Sequence, residues 1–168
     1  MLDHDGVICL EQQWGSRFNK KMDGSTSVDS YFDDFDEKAI EILNEILTET
    51  GAEIVISSDW KKFADISEMR EYYELHGIKK SPYDYTPYYS NIPNGRFGTP
   101  LAEARAVEIS TWLKDHPEVT HWVAVDDLDM SVMSCGDRGL TNFVPTYDIE
   151  KGIAEDGVKE KILEFLAE

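Results

Sequence analysis

Short apolar runs rich in β-branched residues alternate with helical segments along this chain, and that alternation limits the folds open to it. AEIVISS (residues 52–58) and THWVAVDD (120–127) read as buried strands, and NFVPTY (142–147) as a further strand. Another, very short, ends at Asp3. DEKAIEILNEILTETG (36–51) repeats Ala39, Ile40, Leu43, Ile46 and Leu47 at helical spacing, with Asp36 placed to cap it and Gly51 to end it. ADISEMREYYELHG (64–77), LAEARAVEISTWLKDHP (101–117) and DGVKEKILEFLAE (156–168) are expected as three more helices. Strands alternating with helices predict an α/β fold with a parallel sheet covered on both faces. Residues 11–34 read as an irregular loop or flap, and the Pro-, Tyr- and Gly-rich stretch 81–100 as an ordered loop.

Parallel sheets form their sites outside the carboxyl ends of the strands. Asp3, Asp5, Ser57, Ser58, Asp126 and Asp127 all fall at or just after such ends. Asp3 and Asp5 share one side of an extended segment, because side chains alternate with period two. Carboxylates gathered at one edge repel strongly in a low-dielectric pocket. A hard divalent ion such as Mg²⁺, which takes oxygen ligands and keeps some waters, resolves that repulsion. The competing view is that each aspartate separately caps a helix or a turn. Ser57 directly follows the apolar run and is placed to bind a phosphate oxygen, whereas Ser58 suits a cap of the following turn. Balancing cations are available in Lys61, Arg96 and Arg105, and position alone does not choose among them.

The chain has 168 residues, with 16 basic against 34 acidic and a net charge of −18. That length holds one well-cored domain, expected over residues 1–168. No apolar run approaches the roughly 18 residues that span a bilayer, and no signal peptide is evident. Cys9 and Cys135 form no CxxC pair and are expected as free thiols in a cytoplasmic protein, a single disulfide being the alternative. The acidic balance gives a highly soluble surface and opposes wide nucleic-acid contact unless Lys20, Lys21, Lys79, Lys80 and Arg96 form a local basic rim.

LDHDGV, IVISSDW, an Arg-bearing helix and VAVDD together resemble the haloacid dehalogenase (HAD) superfamily of aspartate-nucleophile phosphohydrolases, over nearly the whole chain. LDHDGV, SSDWK, YTPYY, RAVEI and VAVDD are similar to a narrower group, the HAD domains of multi-enzyme Swiss Army knife RNA repair proteins. The resemblance implies a Rossmann-like three-layer α/β/α fold. It implies Asp3 as the nucleophile that forms an aspartyl-phosphate, and Asp5 as general acid and then base. It implies Ser57 on the phosphoryl group, Arg105 or Lys61 as the cation steadying Asp3 and the phosphate, and Mg²⁺ held by Asp3, Asp5 (through its backbone carbonyl), Asp127 and, directly or behind them, Asp126.

Only Met1 and Leu2 precede Asp3 where that family carries a longer strand, so either the strand is short or the natural start lies upstream. His4 and Cys9 are expected to pack. Asp129 and Asp137 are expected either behind the metal ligands or as loop caps. Trp60, Tyr83, Tyr85, Tyr88 and Tyr89 are expected to pack, with a base-stacking pocket as the alternative. The segments where HAD proteins insert caps are short, so the domain is expected to be capless, with only a small flap and an open site suited to a bulky substrate. The resulting expectation is a Mg²⁺-dependent phosphomonoesterase acting on a nucleotide or nucleic-acid terminal phosphate. The alternatives are a phosphatase of small metabolites or phosphoproteins, and a binding module that keeps the fold without chemistry. The intact set of Asp3, Asp5, Ser57 and Asp127 disfavours the last. The sequence leaves the oligomeric state open.

Overall fold

The computed structural model describes residues 1–93 and 95–167. Four short strands run parallel: β1 (Val55–Ile56), β2 (Asp84–Tyr85), β3 (Ala124–Asp126) and β4 (Phe143–Pro145). Leu2 joins them, bridging Ile56 on one side and Val125 on the other. Its N–H donates to the Val55 carbonyl (2.9 Å), and its carbonyl accepts from Ser57 (3.0 Å). The order across the sheet is therefore β2–β1–Leu2–β3–β4. The chain winds outward from Leu2 to β1 and β2, then crosses back to β3 and β4. Its winding thus reverses beside Leu2, and in such sheets the crevice opens there, at the carboxyl ends.

The expected strand ending at Asp3 is central, but it contributes a single bridged residue. The chain leaves the ladder early because the His4 carbonyl accepts from Val7, Ile8 and Cys9 (3.1, 3.0 and 2.8 Å), folding the next turn onto itself.

The helices follow the apolar periodicity. In α2 (Glu37–Thr50), the Asp36 carboxylate accepts from the Ala39 N–H at 2.9 Å, and Gly51 ends the helix at φ +69°. α3 (Ile66–Leu75) begins two residues later than the sequence suggests. Asp65 there makes a reciprocal capping box with Glu68, 2.9 Å each way. α4 (Leu101–Asp115), α5 (Val132–Cys135) and α6 (Val158–Leu166) complete the longer elements.

Two segments expected as loops hold regular structure. α1 (Ser16–Met22) lies in the flap and buries none of its residues, so no apolar stripe marked it. Lys20 ties it down from below. Its Nζ donates to the carbonyls of Asp29 and Phe32 (2.9 and 3.2 Å) and pairs with Asp29 and Asp34 (3.1 and 2.7 Å). β2 lies in the Tyr-rich stretch. It is a two-residue edge strand with Pro82 and Pro87 close by, a composition that only an edge tolerates.

Successive residues of β3 face opposite ways. Ala124 packs with Ala106 and Ile109 of α4, and Val125 joins the cluster holding Leu43 of α2 and Ile162 of α6. Fully burying a Val, Leu or Ile side chain of this kind stabilises by about 1.5–3 kcal/mol. No helix among the described residues is long and apolar enough to cross a membrane.

Gly152, at φ +52°, presses on the loop that carries Asp5. A Cβ there would lie 2.2 Å from the Val7 carbonyl oxygen and 2.5 Å from Leu10 Cδ2. Ile153 N–H donates to that same carbonyl at 2.9 Å. Gly152→Ala is expected to destabilise the fold by at least about 1–3 kcal/mol. Urea denaturation would read this as a lower midpoint at unchanged slope.

Candidate active site

The loop from Asp3 to Leu10 is built around Gly6, which sits at φ +72° with its N–H on the Cys9 carbonyl (2.9 Å). A Cβ on Gly6 would fall 2.6 Å from Asp127 Oδ2, so the glycine lets the first loop and the end of β3 touch. Thr146 Oγ1, just past β4, donates to the Gly6 carbonyl at 2.9 Å. Three strand ends are thereby drawn to one place.

Asp3 and Asp126 are buried there with one cation between them. Arg105, itself buried on α4, lies with a terminal guanidinium nitrogen 3.0 Å from Asp3 Oδ2 and 2.9 Å from Asp126 Oδ2. The other oxygen of Asp126 accepts from the Leu128 N–H at 2.9 Å. Ligand atoms of Asp3, Asp126 and Asp127 lie within 4.8 Å of one another. Asp126 is the most enclosed of the three, and Asp127 reaches solvent.

The electrostatics follow from Asp3, Asp126 and Asp127 gathered at one guanidinium, whose other terminal nitrogen lies 3.7 Å from Asp59 Oδ2. Burial, then the Asp126 charge, pushes the Asp3 carboxyl well above the usual carboxylate range, and Arg105 pulls against this. Burial pushes Asp126 up to about 6, again opposed by Arg105. Asp127 is raised by burial as well. Burial disfavours the Arg105 charge, yet Asp3 and Asp126 together keep it firmly protonated. Such a site carries excess negative charge. An all-carboxylate donor set with one solvent-facing member fits a hard divalent cation that retains waters.

Asp5 stands apart from this cluster. Its carboxylate faces solvent and accepts from Trp60 Nε1–H at 3.0 Å. Burial raises it, and the hydrogen bonds from Trp60 and the Cys9 thiol pull it back. Its side chain therefore contributes no oxygen to the three-carboxylate group, although its sequence neighbour Asp3 does. Ser57 is buried at the end of β1, beside Leu2. Ser58 caps the following turn, its Oγ accepting from the Trp60 backbone N–H at 3.3 Å.

The three candidate cations separate. Arg105 joins Asp3. Lys61 is buried, but its Nζ donates to Glu108 Oε2 (2.7 Å), Thr86 Oγ1 (3.1 Å) and the Pro87 carbonyl (3.1 Å), which ties the β2 segment to α4. Arg96 is exposed on its loop, its backbone N–H on the Tyr89 hydroxyl (3.1 Å). Two of the five residues considered for a basic rim are engaged elsewhere. Lys20 is consumed beneath α1, and Lys80 binds the Gly51 carbonyl (2.6 Å) and Glu53 (2.8 Å) before β1, at the opposite edge of the sheet.

The aromatic residues mostly pack. Trp60 lies in a stack with Phe32 and Phe35, Tyr85 hydroxyl donates to the Ala64 carbonyl (3.0 Å), and Tyr88 hydroxyl to that of Lys61 (2.7 Å). His4 is buried and neutral, pushed down to about 3 by burial and then by Arg105, with Nε2 on the Tyr73 hydroxyl (2.7 Å). Asp129 is a loop cap, accepting from Ser131 N–H (3.0 Å) and Ser134 Oγ (2.5 Å). Cys9 is buried and both cysteines are free.

Glu108, which fixes Lys61, stands in the RAVEI stretch, where the sequence assigns it no role. Its position three residues after Arg105 on one helix was the available signal. The bond from Trp60 to Asp5 joins residues 55 apart in sequence, and no local pattern announces it.

No curated protein and no solved structure matches the chain. The family described as HAD domain in Swiss Army Knife RNA repair proteins matches residues 1–158, a span that holds every residue of the carboxylate site together with Asp5, Ser57 and Arg105. The chain therefore belongs to this family of HAD domains, and its α/β fold is HAD-like.

Proposed function

We propose that this chain is a Mg²⁺-dependent phosphomonoesterase with Asp3 as nucleophile, working in the cytoplasm as one capless HAD domain over residues 1–168. Its architecture would be the Rossmann-like three-layer α/β/α arrangement. The observation that carries the reading is Arg105 within 3.0 Å of Asp3 and 2.9 Å of Asp126, beside Asp127. A guanidinium there steadies a carboxylate that must stay ionised and leaves charge for a metal to offset.

Asp3, Asp126 and Asp127 would hold Mg²⁺, with the Asp5 backbone carbonyl as a further oxygen. When bound, Mg²⁺ neutralises charge on the phosphoryl group as it passes between oxygens. An Asp3 carboxylate oxygen attacks phosphorus, the bond to the leaving oxygen breaks, and Asp5 supplies the proton that oxygen takes up. Asp5 then removes a proton from water as the water oxygen attacks the aspartyl-phosphate, releasing Asp3 and phosphate. Ser57 donates to a phosphoryl oxygen. Arg105 is the phosphate-side cation, and Lys61 holds the fold.

The substrate we propose is a terminal phosphate on a nucleotide or polynucleotide. The family's description as a domain of RNA repair proteins supports this. So does the site's cover. Between Asp5 and α2 the chain forms only α1 and short helical turns at Glu11–Gln13 and Val28–Tyr31. With a net charge of −18 and the basic residues dispersed, only the end of the polymer would be held. Oligonucleotide binding should then depend weakly on salt, with a log–log slope shallower than about −2.

Hydrolysis of an aryl phosphate should need Mg²⁺ and fall to background in Asp3→Asn. Full activity in that variant would overturn the nucleophile assignment. Arg105→Ala should lose about 100-fold or more in kcat, and Lys61→Ala should lower thermal stability with a smaller kinetic effect. Mg²⁺ at a hundred times its Kd should stabilise the wild type by about 2.7 kcal/mol, read as a raised Tm. Asp127→Asn should abolish most of that rise.

A further inference from the structure

The Asp5 carboxylate faces solvent, yet one of its oxygens is fixed by a group that can scarcely move. Trp60 Nε1–H donates to Asp5 Oδ2 at 3.0 Å. The indole is buried and lies parallel to Phe32, 4.5 Å between centroids and 4° between planes. It lies nearly parallel to Phe35 as well, at 5.5 Å and 7°. His4 packs against it at 4.6 Å, and Tyr72 meets it edge-on at 6.0 Å. Its backbone N–H is bound by Ser58 Oγ, in the turn that follows β1. Rotating the indole would break this stack, so its N–H holds a fixed direction.

We propose that Trp60 is the positioning residue for Asp5, setting the rotation of its carboxylate so that it meets the leaving oxygen as general acid. This role rests on the phosphomonoesterase reading above. A general acid works only within hydrogen-bond reach of the oxygen it protonates. Without the Trp60 N–H the carboxylate keeps only the weak Cys9 thiol donor and spreads over further rotamers. The aromatic stack therefore has a chemical consequence beyond the burial of its rings.

Leaving-group dependence tests this. A nitrophenolate departs without needing a proton, whereas the alkoxide of a sugar phosphate does need one. The quantity to measure is kcat/KM, which reports the steps through cleavage of the ester bond and omits the later attack of water. Trp60→Phe keeps an aromatic ring in the stack and removes the donor. It should lower kcat/KM about tenfold or more for an alkyl phosphate and less than about threefold for nitrophenyl phosphate, part of the 10²–10⁴ that a general acid supplies. Equal losses on the two esters would overturn the role. Where thermal melts show Trp60→Phe misfolded, 3-benzothienylalanine at position 60, which keeps the bicyclic shape without the N–H, decides by the same ratio. A wild type inactive on nitrophenyl phosphate and on 3′- and 5′-phosphorylated oligonucleotides, themselves alkyl phosphates, would overturn the phosphomonoesterase reading, and this role with it. A wild type active on both esters, with equal losses in the variant, overturns the role alone.

Discussion

Arg105 is the one cation between two buried carboxylates, and the centre of the molecule is arranged around that shortage. Taking Asp3 and Asp126 out of water costs several kcal/mol per ion, and only a well-placed partner offsets it. Withdrawing the guanidinium would leave both charges stranded, a loss of about 3–5 kcal/mol by analogy with other buried pairs. α4 must therefore dock where it does. Ala106 and Ile109 pack against Ala124, which brings Arg105 level with the end of β3. Packing and charge fix the same helix in the same place.

α4 carries a second ion pair of opposite sense. At Arg105 it supplies the cation to the central carboxylates, and at Glu108 it supplies the anion to Lys61. These positions are three apart and face neighbouring parts of the molecule. The helix thus clamps the Leu2–β3 region through one residue and the β2 segment through the other. The two buried basic side chains have separate duties, and the distances divide them.

Much of this was legible in the sequence, and for identifiable reasons. The apolar periodicity and caps of residues 36–51 located α2, because Asp36 and Gly51 act locally. Ser57, Asp126 and Asp127 were readable because the last β-branched residue before them marks the end of a strand. α1 was not, since it buries nothing and has no stripe to read. β2 was hidden by its prolines and its two-residue length. At the site, sequence favoured Arg105 through the resemblance but kept Lys61 as its competitor. Their separation depends on how α4 meets the sheet, a fact of tertiary packing. The nearness of Gly6 to Asp127 likewise joins positions 121 apart in sequence.

The Lys20 anchor has a mechanical meaning for the flap. Its bonds run to Asp29, Phe32 and Asp34, the segment whose Phe32 and Phe35 stack on Trp60. α1 is thereby fastened to the segment under the aromatic stack, with Arg17 N–H on Asp33 (2.9 Å) and the Asp34 N–H on Ser16 Oγ (2.8 Å) beside the Lys20 bonds. The exposed Phe18 and Met22 thus stand on a helix whose footing is the same segment that packs Phe32 and Phe35 on the indole bound to Asp5.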